Sequence, residues 1–220
     1  MTPSRPGPVA RPRKVAALDP FTHALCRYAA AMSRGEDELA SAALLDAKAA
    51  GGRRRAAEET ALMLMLYAGY PGALEGLRVL NAAWPGRAKR SREGTPASWR
   101  KRGQALCHRV YGSAYDRLIP AVMALHPDLA VWMEEHGYGR VLGRRGLGVI
   151  ARELITVSSL AALGWERQLV SHVLGARRVG ASDAAVEMAL VVGATAGDER
   201  AQRIAARTFE RVRRTGSARA

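Results

Sequence analysis

Two residues in the second half of the chain have the right types for proton transfer: Glu153 in RELITVSSLAALG and His172 in WERQLVSHVLGARRVG. A carboxylate near the start of a helix is favoured by the helix dipole, and one that faces an imidazole orients the ring and stabilises its protonated form. Imidazole exchanges a proton near neutral pH, so such a pair is suited to general acid–base chemistry. The plainer reading is a satisfied buried polar contact that fixes packing. The other histidines, His23, His108, His126 and His136, lack metal-ligand spacing. Cys107 and His108 are adjacent and so point in different directions on a helix, which makes a nucleophilic pair between them a poor reading. Neither a metal nor a cofactor is expected.

A helical hairpin must bring the pair together. Leu154, Ile155, Val157, Leu160 and Ala161 recur at helical spacing up to Gly164, and Gln168 to Val179 form a second helix closed by Gly180. The same plan occurs earlier in the chain. His23 to Gly52 aligns without a gap on Arg152 to Ala181, with Gly35, Ala47 and Gly51 falling on Gly164, Ala176 and Gly180. A third helix follows in each copy, over Arg55 to Tyr67 and over Asp183 to Ala196, where Ser182 is a natural N-cap. A fourth is expected over Ala73 to Ala83 and over Glu199 to Arg213. Between the copies the pattern predicts helices over Ser98 to Val110, Ala114 to Leu125 and Leu129 to His136, with Pro127 in the first turn of the last. The glycine-rich run Gly137 to Gly148 is expected to be a loop that presents Tyr138, Arg140, Arg144 and Arg145 near the start of the Glu153 helix.

The composition agrees with an all-α protein. Hydrophobic residues make up 48% of the 220, enough to bury a core, and aromatics only 5%, while Ala, Leu and Arg dominate over β-branched runs. The two cysteines, Cys26 and Cys107, offer no C-x-x-C pair or zinc knuckle, which suits a reducing cytoplasm. A net charge of +14 raises the question of nucleic acid. Much of that charge sits in the N-terminal stretch, the Arg53–Arg55 turn, the Gly86 to Gly103 stretch and the C-terminal end, with no nucleic-acid recognition motif beside it. An arginine-rich solvated surface is the reading adopted, with no nucleic-acid partner. No run is apolar enough for a membrane span, and the basic, Pro-rich start reads as a flexible arm.

The string YGRVLGRRGLGVIARELITVSSLAALGWERQLVSHVLGARRVGA resembles the carboxymuconolactone decarboxylase and alkylhydroperoxidase-D-like families. The likeness lies in the ordered combination of a glycine loop, an R-E-L helix start, an Ala/Leu-rich helix and Q-L-x-x-H followed by G-A. It runs from about Tyr138 to Arg213, and LYAGYPGALEGLRVLN extends it to the first copy. The resemblance implies an all-helical fold of two divergent repeats of antiparallel αα-hairpins, assembled into a ring, for which a homotrimer is expected. It also implies that Glu153 and His172 occupy the family's acid/base positions, which are Ala24 and Ala43 in the first copy. For a lactone decarboxylation it suggests His172 as proton donor, Glu153 as its orienting carboxylate, and Arg152 or an arginine of the 140–145 loop as the carboxylate clamp. Tyr138, Arg140, Trp165 and Gln168 are then candidate substrate-binding residues. Peroxidase members carry a C-x-x-C pair where this chain has Trp165 and Gln168, which argues against thiol-based peroxide reduction.

These readings divide the chain into an arm (1–18), a first, degenerate repeat (19–84), a basic linker (85–103), and a helical connector plus the second repeat with the candidate site (104–215). Two functions follow from them. One is a cofactor-free lyase acting on a small carboxylated lactone or related acid. The other is a catalytically silent helical oligomer that binds a ligand or an acidic partner.

Overall fold

The computed structural model describes residues 18–91 and 94–217, so all of the expected arm except Leu18 lies outside the described residues. Among the described residues every regular element is helical. In the first half, α1 (Pro20–Arg34) and α2 (Asp37–Ala49) form one hairpin, and α3 (Arg54–Tyr67) and α4 (Gly69–Ala83) form another. The middle holds α5 (Pro96–Tyr111), a 3-10 turn (Gly112–Ala114), α6 (Tyr115–Leu125), α7 (Pro127–Trp132) and a π-helical segment (Met133–Leu142). The second half holds four further helices, α8 (Val149–Leu163), α9 (Glu166–Val179), α10 (Asp183–Ala196) and α11 (Glu199–Ser217).

The helix ends follow from local chemistry. Asp19 Oδ1 accepts the Thr22 N–H at 2.9 Å to open α1, and Ser182 Oγ accepts the Ala185 N–H at 3.1 Å to open α10. Gly35 and Gly164, the two glycines aligned by the repeat register, close α1 and α8 in the left-handed conformation at φ 76° and 67°. An L-residue with a Cβ would be strained there. Thr95 and Ser98 form a reciprocal capping box ahead of Pro96, so α5 takes in the end of the stretch assigned to the linker.

One sequence expectation is corrected. The glycine-rich run from Gly137 was expected to be a loop, yet residues 137–142 belong to the π-helical segment. The glycines serve helix crossing here. A Cβ on Gly103 of α5 would stand 1.8 Å from the Glu134 carbonyl oxygen, and one on Gly139 would stand 2.1 Å from the Trp99 carbonyl oxygen. The two backbones are in contact, which only paired glycines permit. Wide π turns also tolerate residues that would break an isolated α-helix, because packing against α5 replaces intrinsic propensity.

The hydrophobic core is continuous across both halves and includes Leu25, Tyr28, Leu44, Leu64, Ile155 and Leu169, each fully buried. Helix α8 lies at its centre, packed against α1, α9 and α10 and touching α3 and α11. Helix α6 is the exception, with no buried residue of its own. Among the described residues no helix is long and apolar enough to cross a membrane.

Candidate functional site

Helix α8 is buried from Arg152 through Ala162, so the polar groups it carries must find partners inside the protein. Consecutive residues on an α-helix point about 100° apart, and Arg152 and Glu153 accordingly serve two different networks. Glu153 turns towards α9, where His172 Nδ1 lies 2.9 Å from its Oε2. Both residues are buried, Glu153 at 2% exposure and His172 at 9%. The carboxylate fits because position 175 is glycine: a Cβ there would stand 2.8 Å from Glu153 Oε2.

Aromatic residues wall the pair. The Tyr111 ring meets the His172 imidazole edge-on at 6.1 Å between centroids, and the Tyr138 hydroxyl donates to the Tyr111 hydroxyl at 2.6 Å. One turn along α8 from Glu153, Thr156 Oγ1 donates to the Arg152 carbonyl at 2.8 Å and lies 2.5 Å from the Tyr67 hydroxyl, which the first half of the chain supplies. Burial pushes the Tyr67, Tyr111 and Tyr138 hydroxyls well above the usual phenol range, and the nearby Glu153 charge pushes each the same way. These phenols are therefore neutral hydrogen-bond donors at physiological pH.

Arg152 points elsewhere. Its Nη2 donates to Glu59 Oε2 of α3 at 3.0 Å and to the Arg144 carbonyl at 3.0 Å, and its Nε to the Leu147 carbonyl at 3.3 Å. Arg144 donates to both oxygens of Glu59 at 2.9 and 3.2 Å, and Arg55 Nη2 approaches Glu59 Oε1 at 2.7 Å. Burial pulls the Arg152 guanidinium below its ordinary pKa, and Glu59 opposes that pull.

Of the residues selected from sequence, the structure brings Glu153, His172 and Tyr138 into one cluster. Arg140 is exposed, stacked over Trp99 with its guanidinium carbon 4.9 Å from the ring centroid, and lines a separate cavity. Trp165 and Gln168 are exposed and line a surface depression with Arg200 and Arg211. Glu59, Tyr67, Thr156 and Gly175 were missed. Glu59 had a readable signal, since it shares a helix face with the apolar Ala56 and Met63, where an acid that is buried must be paired. The role of Gly175 leaves no trace in the sequence, because it depends on where another helix places its side chain.

Both thiols are inside the protein. Burial pushes Cys26 up to about 12, and burial with the Glu134 and Glu153 charges pushes Cys107 higher still. A thiol held in its protonated form is a poor nucleophile. Iodoacetamide at mildly alkaline pH should leave both unmodified in the folded protein and alkylate both in denaturant. Rapid labelling of Cys107 in the native state, followed by mass spectrometry, would reopen a thiol-based reaction.

Among the described residues no group of three or more His, Cys, Asp or Glu side chains is arranged to hold a metal ion. Residues 127–210, from the start of α7 into α11, match the family model of the carboxymuconolactone decarboxylase family. The match contains Glu153, His172 and Tyr138 and excludes Glu59, Tyr67 and Tyr111. No curated protein matches the chain.

Proposed function

We propose that this chain, which belongs through residues 127–210 to the carboxymuconolactone decarboxylase family, is a cofactor-free lyase that moves a proton on a small carboxylated lactone or related acid. The observation that carries the reading is the buried contact between His172 Nδ1 and Glu153 Oε2. A carboxylate on Nδ1 fixes the imidazole tautomer and leaves Nε2 to exchange the proton. In a decarboxylation, the bond between the carboxyl carbon and its neighbour breaks, carbon dioxide departs, and its electron pair passes into an enolate. His172 returns a proton to carbon, and Glu153 stabilises the imidazolium that precedes transfer. Tyr111, whose hydroxyl accepts from Tyr138 and so keeps its own proton free, is the neutral donor that would support the enolate oxygen. Arg152 is committed to Glu59 and takes no part in this account.

The test is carbon dioxide release from a panel of small carboxylated lactones and 3-oxo acids, with wild type and His172→Ala compared side by side. Release that disappears in a folded variant supports the reading. Equal release by the two proteins removes His172 from the chemistry.

A second reading, a catalytically silent helical oligomer, draws on the first half of the chain, where buried Ala24 and Ala43 occupy the aligned positions and the hairpin persists without the pair. Failure of every candidate substrate would favour it. Peroxide reduction is disfavoured by the absence of a C-x-x-C pair and by the burial of both thiols.

Both readings include self-association. Helix α6 packs on the core only partly, through Tyr115 and Leu118, and leaves Met123 and Leu125 exposed, Leu125 at 80%, with Leu129 and Trp132 of the adjoining α7 exposed as well. A face of this kind is characteristic of an interface. Light scattering on the eluting peak should give a homo-oligomer, with a trimer expected, and Leu125→Glu should shift it to smaller species. A wild-type monomer at micromolar concentration would remove this part of the proposal.

A further inference from the structure

A cavity of about 1100 Å³ lies away from the Glu153/His172 pair, neither of which lines it. It opens between α3, α4, the segment before α5, the start of α5 and the π-helical segment. Among the described residues that line it, cationic side chains, including Arg55, Arg140 and Arg144, outnumber the carboxylate of Glu58. Its apolar surface comes from Leu62, Leu77 and Trp99.

Two of the cations are held in place from behind. The buried Glu59 carboxylate fixes Arg144 by two hydrogen bonds and Arg55 by an ion pair, and Arg144 Nη2 also donates to Ser91 Oγ at 2.9 Å. Arg140 is steadied over the Trp99 ring. Side chains positioned before a ligand arrives lose less freedom when it binds. The cluster is also short of acceptors. Glu59 serves Arg55, Arg144 and Arg152 at once, Glu58 adds only a 3.7 Å approach to Arg55, and Arg152 Nη1 is buried without a hydrogen-bond partner among the described residues. Excess positive charge at the wall of a concave site with an apolar floor is the arrangement that recognises an organic anion.

We infer that this cavity binds a small organic anion with a flat apolar body and more than one carboxylate or phosphate group. The apolar body lies against Leu62, Leu77 and Trp99, and the anionic groups meet Arg55, Arg140 and Arg144. A nucleic acid is disfavoured as the occupant, because a strand tracking the surface would leave the apolar lining of the cavity unused.

Calorimetric titration of the full chain with benzene-1,3,5-tricarboxylate and with adenosine triphosphate tests this, with adenosine as the neutral control. One equivalent of at least one anion should bind with a Kd below about 1 mM, adenosine should not, and the tighter anion identifies the preferred group. Arg140→Glu and Lys89→Glu, both at exposed rim positions, should each weaken binding about tenfold or more while melting like wild type. Arg203→Glu on α11 controls for net charge, its side chain being 64% exposed and outside the cavity. The proposal is overturned if neither anion binds, or if Arg203→Glu weakens binding as much as the rim variants, since general attraction to a +14 protein would then account for it.

Discussion

Replacing Glu59 with Ala should lower the unfolding free energy by roughly 3–5 kcal/mol, the range for removing one partner of a buried ion pair. Glu59 is fully buried, and so is Arg152 at 2% exposure. The three arginines on this carboxylate differ in their routes to water. Side-chain exposure is 33% for Arg55 and 15% for Arg144, and both line the basic cavity, so they can turn outward once the acid is gone. Arg152 cannot, because it is enclosed in the central helix with two backbone carbonyls as its remaining acceptors. Most of the loss should therefore come from stranding Arg152. Adding Arg152→Met to Glu59→Ala should recover part of the stability, since it removes the uncompensated charge. Urea denaturation of wild type, both single variants and the double variant forms the cycle that measures this. A Glu59→Ala midpoint equal to that of wild type would show that the arginines do not depend on the acid.

The second large effect is on catalysis. His172→Ala removes the proposed proton donor and should reduce turnover by about 10²–10⁴-fold. Glu153→Gln should cost less. It keeps a side chain of the same shape beside Nδ1 but loses the charge-assisted hydrogen bond, worth roughly 1.5–3 kcal/mol, or about 10- to 100-fold in rate. The ordering separates the two roles. A severe loss at His172 with a moderate one at Glu153 fits a donor and its orienting carboxylate. Full activity in Glu153→Gln would reduce Glu153 to a packing residue even if His172 proved essential. Melting curves on the same samples are needed, because both side chains are buried and either change can also loosen the α8/α9 hairpin.

The sequence carries the hairpin that bears the pair because its signals are local. Apolar residues at helical spacing place α8 and α9, Gly164 and Gly180 stop them, and so short a turn folds α9 back against α8. Glu153 and His172 then face each other from residues close in the chain. The π-helical segment was misread because its glycines carry the same local signal as a loop, and the close approach of Gly103 and Gly139 that gives them their purpose involves residues far apart in sequence.

Composition and periodicity by themselves determined an all-helical chain and its main helix boundaries, and made a meeting of Glu153 with His172 plausible, since each depends on interactions within one or two turns of helix or across a single short connection. Tertiary structure alone decided which way Arg152 points, that Glu59 from the first half meets it, that Tyr111 and Tyr138 enclose the imidazole, and that Arg140 serves a different cavity. Those contacts join segments distant along the chain. Their partners are chosen by how whole helices pack, and the free energy that fixes them comes from burying charge and apolar surface together.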